Sequence, residues 1–544
     1  MTQMTGGRAL VEMLRRHNVD TLFGLPGVQN DHLYNALYDV QGTQSEIRVI
    51  HTRHEQGAAY MAYGYAKATG RAGVYAVVPG PGMLNTTAAL STGYATNAPM
   101  LCISGQIPTG NIGRGYGFLH EIPDSLGILR GLTKWAERAD HPAQVPELVN
   151  EAFKQMLTGR PRPVALEVPM DVLGMKADIT LLDAPTCYPV QMPDLLAIES
   201  AAMLLGQAKN PLIMIGSGAE NAGEALLTLA EMIQAPVVAT TSGKGVISSR
   251  HPLSLTGPGG HKLWAKADVV LAIGTRLQSP LQNWGTDSSF KLIRIDVDPV
   301  ELRRIVSPTV GILSDANAAL QALNKAVPAH NIARASRYEE MNALKEELAE
   351  AFTEISPQFD YVREIRAALP DDAVYFEDLT QVAYASRYMM PSYMPRTHIS
   401  SGYQGTLGFG FASAMGAKVA FPNRPVMVAN GDGGFMYTVQ ELATAVQHKI
   451  NLVAVVFNDG AFGNVQRMQK KDYGGKVIGS DLQNPDFVAL ARAHGAASDR
   501  VHDPVALGNA LREAFKRPLP TIIEVPVGEM SAPWKYIMMS RLRG

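Results

Sequence analysis

Residues 431–465 read GDGGFMYTVQELATAVQHKINLVAVVFNDGAFGNV, and the order of patterns in and around this stretch decides the fold. Just upstream, Arg424 to Asn430 (RPVMVAN) is an apolar run with the length of a buried strand. Thr438 to Lys449 carries helical spacing, with Val439, Leu442, Ala443 and Val446 on one stripe. Asn451 to Phe457 (NLVAVVF) reads as a second buried strand. A strand–helix–strand crossover is right-handed and sets its two strands parallel. Asp432 and Asp459 each follow a strand end, so they are expected to converge on one cation beyond the sheet edge, where open α/β sheets bind ligands. Gly431, Gly433 and Gly434 clear that edge of side chains and let backbone approach a phosphate. A lone GDG is an ordinary turn. The second acidic cluster, Asn458-Asp459-Gly460, gives the metal reading its weight.

The chain has 544 residues, too many for one core, and its 46% hydrophobic and 18% charged content is that of an ordinary globular protein. Lys plus Arg (48) nearly balance Asp plus Glu (50), which gives no electrostatic footprint for nucleic acid or a membrane surface. Two cysteines, Cys102 and Cys187, exclude a disulfide framework and a cysteine metal cage. Cys102 lies in the apolar run Pro99 to Ser104 and is expected in the core. Met1 to Val19 lacks the apolar centre of a signal peptide and reads as a helix with Leu10, Met13 and Leu14 on one face. No apolar run reaches the roughly 18 residues of a membrane span. A cytoplasmic location is expected.

Strands and helices alternate along the chain, which predicts parallel sheets covered by helices on both faces. The first block, residues 1–173, contains strand-like Thr21 to Phe23, Ile47 to Ile50, Gly73 to Val78, Met100 to Ser104 and Val164 to Val168. Leu173 to Pro193 reads as a proline-containing linker. The second block, 196–327, contains Pro211 to Ile215, Pro236 to Ala239, Val269 to Ile273 and Leu292 to Ile295. After a polar, helix-prone connector, the third block, 357–544, holds the opening stretch and a further strand over Ala373 to Phe376. The fold class is therefore α/β, three doubly wound parallel-sheet domains.

Several motifs in these blocks carry a family resemblance. The GDG with its second cluster is similar to the cofactor anchor of thiamine diphosphate enzymes, and the three-block plan extends the resemblance over essentially the whole chain. It comes nearest to the acetolactate synthase-like branch, with benzaldehyde lyase-like features in the first block. The resemblance implies that Asp432, Asp459 and the carbonyl of Ala461 hold Mg²⁺, which holds the diphosphate. Asp459 departs from the family's Asn; the extra charge should make the metal more essential. The segment Arg53-His54-Glu55 running into QGAAYMAYGYAKATG resembles the one holding the coenzyme-activating glutamate, which makes Glu55 the leading catalytic residue. Alone, a Glu at a helix start has a plainer explanation, stabilisation by the helix dipole. Gly80, Pro81 and Asn85 resemble the turn approaching the pyrimidine ring. Gly405 and Leu407, within SGYQGTLGFG, resemble the segment whose apolar residue wedges between the coenzyme rings; Thr380 and Gln381 stand where relatives bond the diphosphate. The resemblance also implies a pyrimidine-binding first domain, a diphosphate-binding third domain, and a site shared between subunits, hence a homodimer at least and a homotetramer by expectation.

The reaction is read from substrate-side positions. Simple decarboxylases of this superfamily carry Asp after the LPG turn and a His pair elsewhere; here the position is Val28, and no adjacent His pair occurs. A poorly protonated enamine persists long enough to attack a second carbonyl, which favours a carboligase or lyase on 2-keto acids or 2-hydroxy ketones. Gln29 and His120 are candidate polar or proton-transfer groups; His120 reads equally well as a hydrogen-bonded structural histidine. Three acetolactate synthase landmarks fall on Met170, Met468 and Pro280, so the acceptor pocket is expected to be more hydrophobic. In the second block, Gly216-Ser217-Gly218 is a weak dinucleotide turn, and Arg276 with Asp296 resembles a flavin pattern from which Pro280 departs, leaving FAD as an open cofactor. The alternatives are a non-oxidative 2-keto acid decarboxylase and an inactive ThDP- or flavin-binding regulator; Glu55 argues against the latter.

Overall fold

The computed structural model describes residues 1–544. Three six-stranded sheets, each wholly parallel, follow one another along the chain. The first runs, in spatial order, Arg48–His51, Thr21–Gly24, Gly73–Val77, Met100–Gln106, Val164–Pro169, Trp135–Arg138. The third repeats that order with His398–Ser400, Val374–Glu377, Val426–Gly431, Val453–Asn458, Thr521–Pro526, Ala497–Arg500. In both, the chain starts near one edge and reverses direction between its first and third strands, the switch point at which ligands bind in such sheets. The central sheet instead runs Ser254–Leu255, Val237–Ala239, Pro211–Ile215, Val269–Ile273, Lys291–Asp296, Val310–Leu313, with its switch between Pro211–Ile215 and Val269–Ile273.

The first and third sheets share a core. Helix Glu55–Thr69 lies against helix Gly410–Ala420, and one apolar cluster continues from Phe23 and Tyr75 through Tyr60, Met61 and Met415 to Val428 and Val456. Glycines make the contact close: a Cβ on Gly64 would strike the Ser413 carbonyl, and one on Gly416 the Met61 carbonyl. The central domain keeps its own core around Trp264, Ile213 and Leu271. Cys102 is fully buried, as expected.

Three sequence readings need correction. Met1 to Val19 is not all helix: Thr2–Thr5 pairs antiparallel with Lys176–Ile179, and Thr5 then caps helix Gly6–Arg16 by accepting from Arg8 N at 3.1 Å. The same pairing makes a strand of part of the expected linker, because its partner lies far away in the chain, where local periodicity gives no sign of it. The helix expected over Thr438 to Lys449 is shorter, Glu441–Gln447, and buries Glu441, Leu442, Thr444 and Ala445; Val439, Ala443 and Val446 are only half-buried. A buried glutamate had displaced the apparent stripe.

Candidate active site

The residues singled out in the sequence gather at two places, one at the switch point of each outer sheet. At the first, Glu55 opens helix Glu55–Thr69 with His54 as its cap, His54 Nδ1 accepting from Gln56 N at 3.1 Å. The Glu55 carboxylate accepts from Asn85 Nδ2 at 3.0 Å and lies beside Gly82. Gly80 sits at φ +57°, and a Cβ there would be 2.5 Å from the His120 carbonyl oxygen, so the turn with Pro81 presses directly on the loop that carries His120. His120 is itself a non-glycine residue at φ +69°, a conformation that costs free energy and persists where surroundings hold it. Its Nδ1 stands 2.9 Å from Gln29 Oε1, while Gln29 Nε2 donates to the Leu119 carbonyl at 2.9 Å. Gln29 and His120, far apart in sequence, are thus one hydrogen-bonded unit.

That unit has a defined proton arrangement. A carbonyl only accepts, so the Gln29 amide must turn its NH₂ to Leu119 and its oxygen to His120. His120 Nδ1 therefore carries a proton, and Nε2 is the ring nitrogen left outside this unit.

At the second switch point, Asp432 is buried and its Oδ2 accepts from Gly460 N at 3.0 Å and Asn484 Nδ2 at 2.6 Å. Asp459 faces it across the strand ends; burial and the Asp432 charge push its carboxyl up to about 6. The loop beyond pairs with residues 480–482 through Phe462 N to the Ser480 carbonyl and Leu482 N to the Gly460 carbonyl, each 2.8 Å. This takes up the Gly460 carbonyl and leaves that of Ala461 free. Two unneutralised carboxylates beside a carbonyl are an all-oxygen donor set suited to a hard divalent cation. Gly433 backs onto Phe462 and Leu482 at the floor of a cavity of about 350 Å³ also lined by Met436, Tyr437 and Asn484. Leu407 lies against Gly434, within 3.2 Å of where a Cβ there would stand, and Gly405 at φ +59° turns the loop toward it. Thr380 abuts Gly431 and stands at the N-cap position of helix Gln381–Met389 without a side-chain cap bond, so the helix N-terminus keeps N–H groups free for an anion. Gln381 accepts from Arg467 at 3.2 Å.

Four residues in or beside this site escaped the sequence reading. Asp378, fully buried and held up to about 6 by burial, accepts from Gly408 N and Gly410 N, each at 3.2 Å, and so ties the Leu407 loop to the strand end. The acid directly after the strand Val374–Glu377, mirroring Asp432, was the available signal. Asn484, Arg467 and Glu441 gave none, since their partners are distant in sequence.

The central switch point does not fit a flavin. Gly218 N, a donor a diphosphate would need, bonds the Gly274 carbonyl at 3.1 Å. Arg276 donates to the Ala95 carbonyl at 2.9 Å and stacks 4.3 Å from the Tyr403 ring. Arg160 of the first domain closes the flank through Glu301 at 2.8 Å and Asp298 at 3.2 Å. Gly218 N, Arg276 and Arg160 are thus engaged in contacts within the protein, several of them between domains.

Comparison with known proteins agrees with this geometry. Family models described as the thiamine pyrophosphate enzyme N-terminal TPP binding domain, central domain and C-terminal TPP binding domain match residues 4–128, 198–323 and 378–525. Among curated relatives, "Probable 2-ketoarginine decarboxylase AruI" of Pseudomonas aeruginosa is 36% identical over 96% of this chain and 94% of its own. "Probable acetolactate synthase large subunit" of Methanocaldococcus jannaschii is 33% identical over 97% and 93%, and "Acetolactate synthase large subunit" of Corynebacterium glutamicum 31% over 98% and 88%. With two TPP-binding domains matched and relatives aligned nearly end to end, the chain belongs to the thiamine pyrophosphate enzyme family, on its acetolactate synthase-like side.

Proposed function

We propose that the protein is a thiamine diphosphate- and Mg²⁺-dependent carboligase or lyase acting on 2-keto acids or 2-hydroxy ketones. When bound, the coenzyme supplies a carbon nucleophile and an electron sink for the substrate carbonyl. Asp432, Asp459 and the Ala461 carbonyl would hold the metal, Thr380 and the glycine turn the diphosphate, Leu407 the bend between the rings, and Glu55 the pyrimidine.

The observation carrying the choice of reaction is that an apolar residue, Val28, stands on the rim beside the Gln29–His120 unit. With its Nδ1 held by Gln29, His120 keeps Nε2 as the nitrogen that can exchange a proton with a substrate hydroxyl. The neighbouring Val28 is 52% exposed and adds no acid. Such a rim suits joining a second carbonyl over quenching by a proton. Incubation with pyruvate and aromatic aldehydes, singly and in pairs, is expected to yield condensed hydroxy ketones. Aldehyde from a single keto acid, with no condensed product, would instead support the decarboxylase reading, which the similarity to a 2-ketoarginine decarboxylase favours. Val28→Asp places an acid on the rim and should shift the ratio of aldehyde to condensed product by about tenfold or more, the lower range of general acid catalysis; product chromatography reads the ratio.

In a single chain the partners of Glu55 lie on its own domain, and both half-sites are rimmed by exposed apolar residues. Val28, Leu84, Phe118 and Leu119 surround the first; Met436, Tyr437, Val465 and Met468 the second. Apolar patches of this kind mark interaction surfaces. Two chains that cover them mutually complete both sites, so a homodimer is the working unit and a homotetramer its pairing. The central domain, in this reading, binds no flavin and serves to hold the outer domains. Purified protein is expected to lack flavin absorption bands and to gain none after incubation with FAD; stoichiometric bound flavin would overturn this.

A further inference from the structure

Glu441 is a fully buried carboxylate that the proposed chemistry does not use. It opens the helix that follows the Asp432 turn, yet its oxygens point into the first domain. Oε1 accepts from His54 N at 3.0 Å and Arg53 N at 3.2 Å; Oε2 accepts from Arg53 N at 3.0 Å and Thr444 Oγ1 at 2.7 Å. Gly57 makes room, since a Cβ there would stand 2.5 Å from Glu441 Oε1. A second tie runs from Arg53 Nη2 to Gln447 Oε1 at 3.1 Å. The hydrogen bonds that offset the cost of burying its charge come from backbone N–H groups and one hydroxyl.

We propose that Glu441 is a positioning residue for Glu55, clamping the two peptides that lead into it. This rests on the reading above, in which Glu55 activates the coenzyme and each site is built from two chains. Because Glu441 directly follows the metal turn of its own chain while holding the glutamate that serves the partner's coenzyme, it links the two sites of a dimer mechanically. Removing it frees the peptides at Arg53 and His54, and a shift of about 1 Å in a catalytic group costs on the order of 100-fold.

Glu441→Ala is therefore expected to lower kcat about 100-fold with KM little changed. Thiamine diphosphate and Mg²⁺ affinity by calorimetry should stay near wild type, and amide exchange at Arg53 and His54 should quicken. Glu441→Gln keeps an accepting oxygen and should recover most of the lost rate, which also guards against a variant that fails to fold. Mixed dimers, isolated through two affinity tags, decide where Glu441 acts. Pairing Glu441→Ala with Asp432→Ala puts both lesions in one site and leaves the other whole, so about half of wild-type activity should return. If Glu441 instead served its own chain's metal turn, both sites would be damaged and no activity would return, overturning the proposal. The control pairs Glu55→Gln with Asp432→Ala: its failure to complement would overturn the two-chain site itself, and with it the linkage. Unchanged kcat in Glu441→Ala would also overturn the proposal.

Discussion

Glu55→Gln should leave a folded protein that binds thiamine diphosphate and Mg²⁺ yet turns over about 10³-fold more slowly, within the range that general acid–base catalysis contributes. The substitution preserves volume and the hydrogen bond to Asn85, because the amide oxygen can still accept from Nδ2. It keeps the first position of helix Glu55–Thr69 polar and partly exposed, where surface changes seldom alter stability by more than about 0.5 kcal/mol. What it removes is an oxygen able to exchange a proton with the pyrimidine. The diphosphate anchor lies on another domain, so cofactor affinity by calorimetry should change little while product formation at saturating cofactor collapses. A 10³-fold loss corresponds to about 4 kcal/mol of transition-state stabilisation, far more than helix-dipole stabilisation of a surface carboxylate supplies. Undiminished turnover would return Glu55 to that lesser role.

How much of this was legible in the sequence follows from burial. Strands buried on both faces of a parallel sheet read as continuous apolar runs, which is why the interior strands Gly73–Val77, Val269–Ile273 and Val426–Gly431 match the reading closely. Most strands that local pattern missed lie at sheet edges, among them Trp135–Arg138, Val310–Leu313 and Ala497–Arg500, where one side is wet and the apolar run breaks up. Thr521–Pro526, an interior strand, is the exception. At the site, residues tied to glycine turns announced themselves. Those defined by a distant partner did not: the pairing of Gln29 with His120 and the clamp of Glu441 on Arg53 exist only once the domains meet. The same limit hid the helix face at Glu441, since an amphipathic stripe assumes that charge faces water.

Asp432→Ala is expected to abolish cofactor binding and lower turnover by at least about 10³-fold, because it removes the more fully hydrogen-bonded of the two proposed metal carboxylates in a site that depends on electrostatic stabilisation. The wild-type arrangement is unfavourable without a cation. Asp432 is held by Gly460 N and Asn484 Nδ2, and Asp459 faces it with burial and like charge both opposing ionisation. A diphosphate brings further negative charge; two unit charges 4 Å apart at an effective dielectric constant of 20 repel by about 4 kcal/mol. Chelating the metal should therefore release the coenzyme from wild type, measured as loss of calorimetric binding in excess chelator. Asp459→Asn separates the two effects. It deletes one repelling charge and keeps an oxygen donor, so turnover at saturating Mg²⁺ should remain within about tenfold of wild type while metal affinity falls, as expected when a site loses ligand charge. After chelation the same variant should retain more coenzyme than wild type, because less repulsion remains. Binding by wild type that ignores the chelator would refute the metal site, and an Asp459→Asn variant as inactive as Asp432→Ala would show that the second carboxylate is a required ligand whose charge cannot be given up.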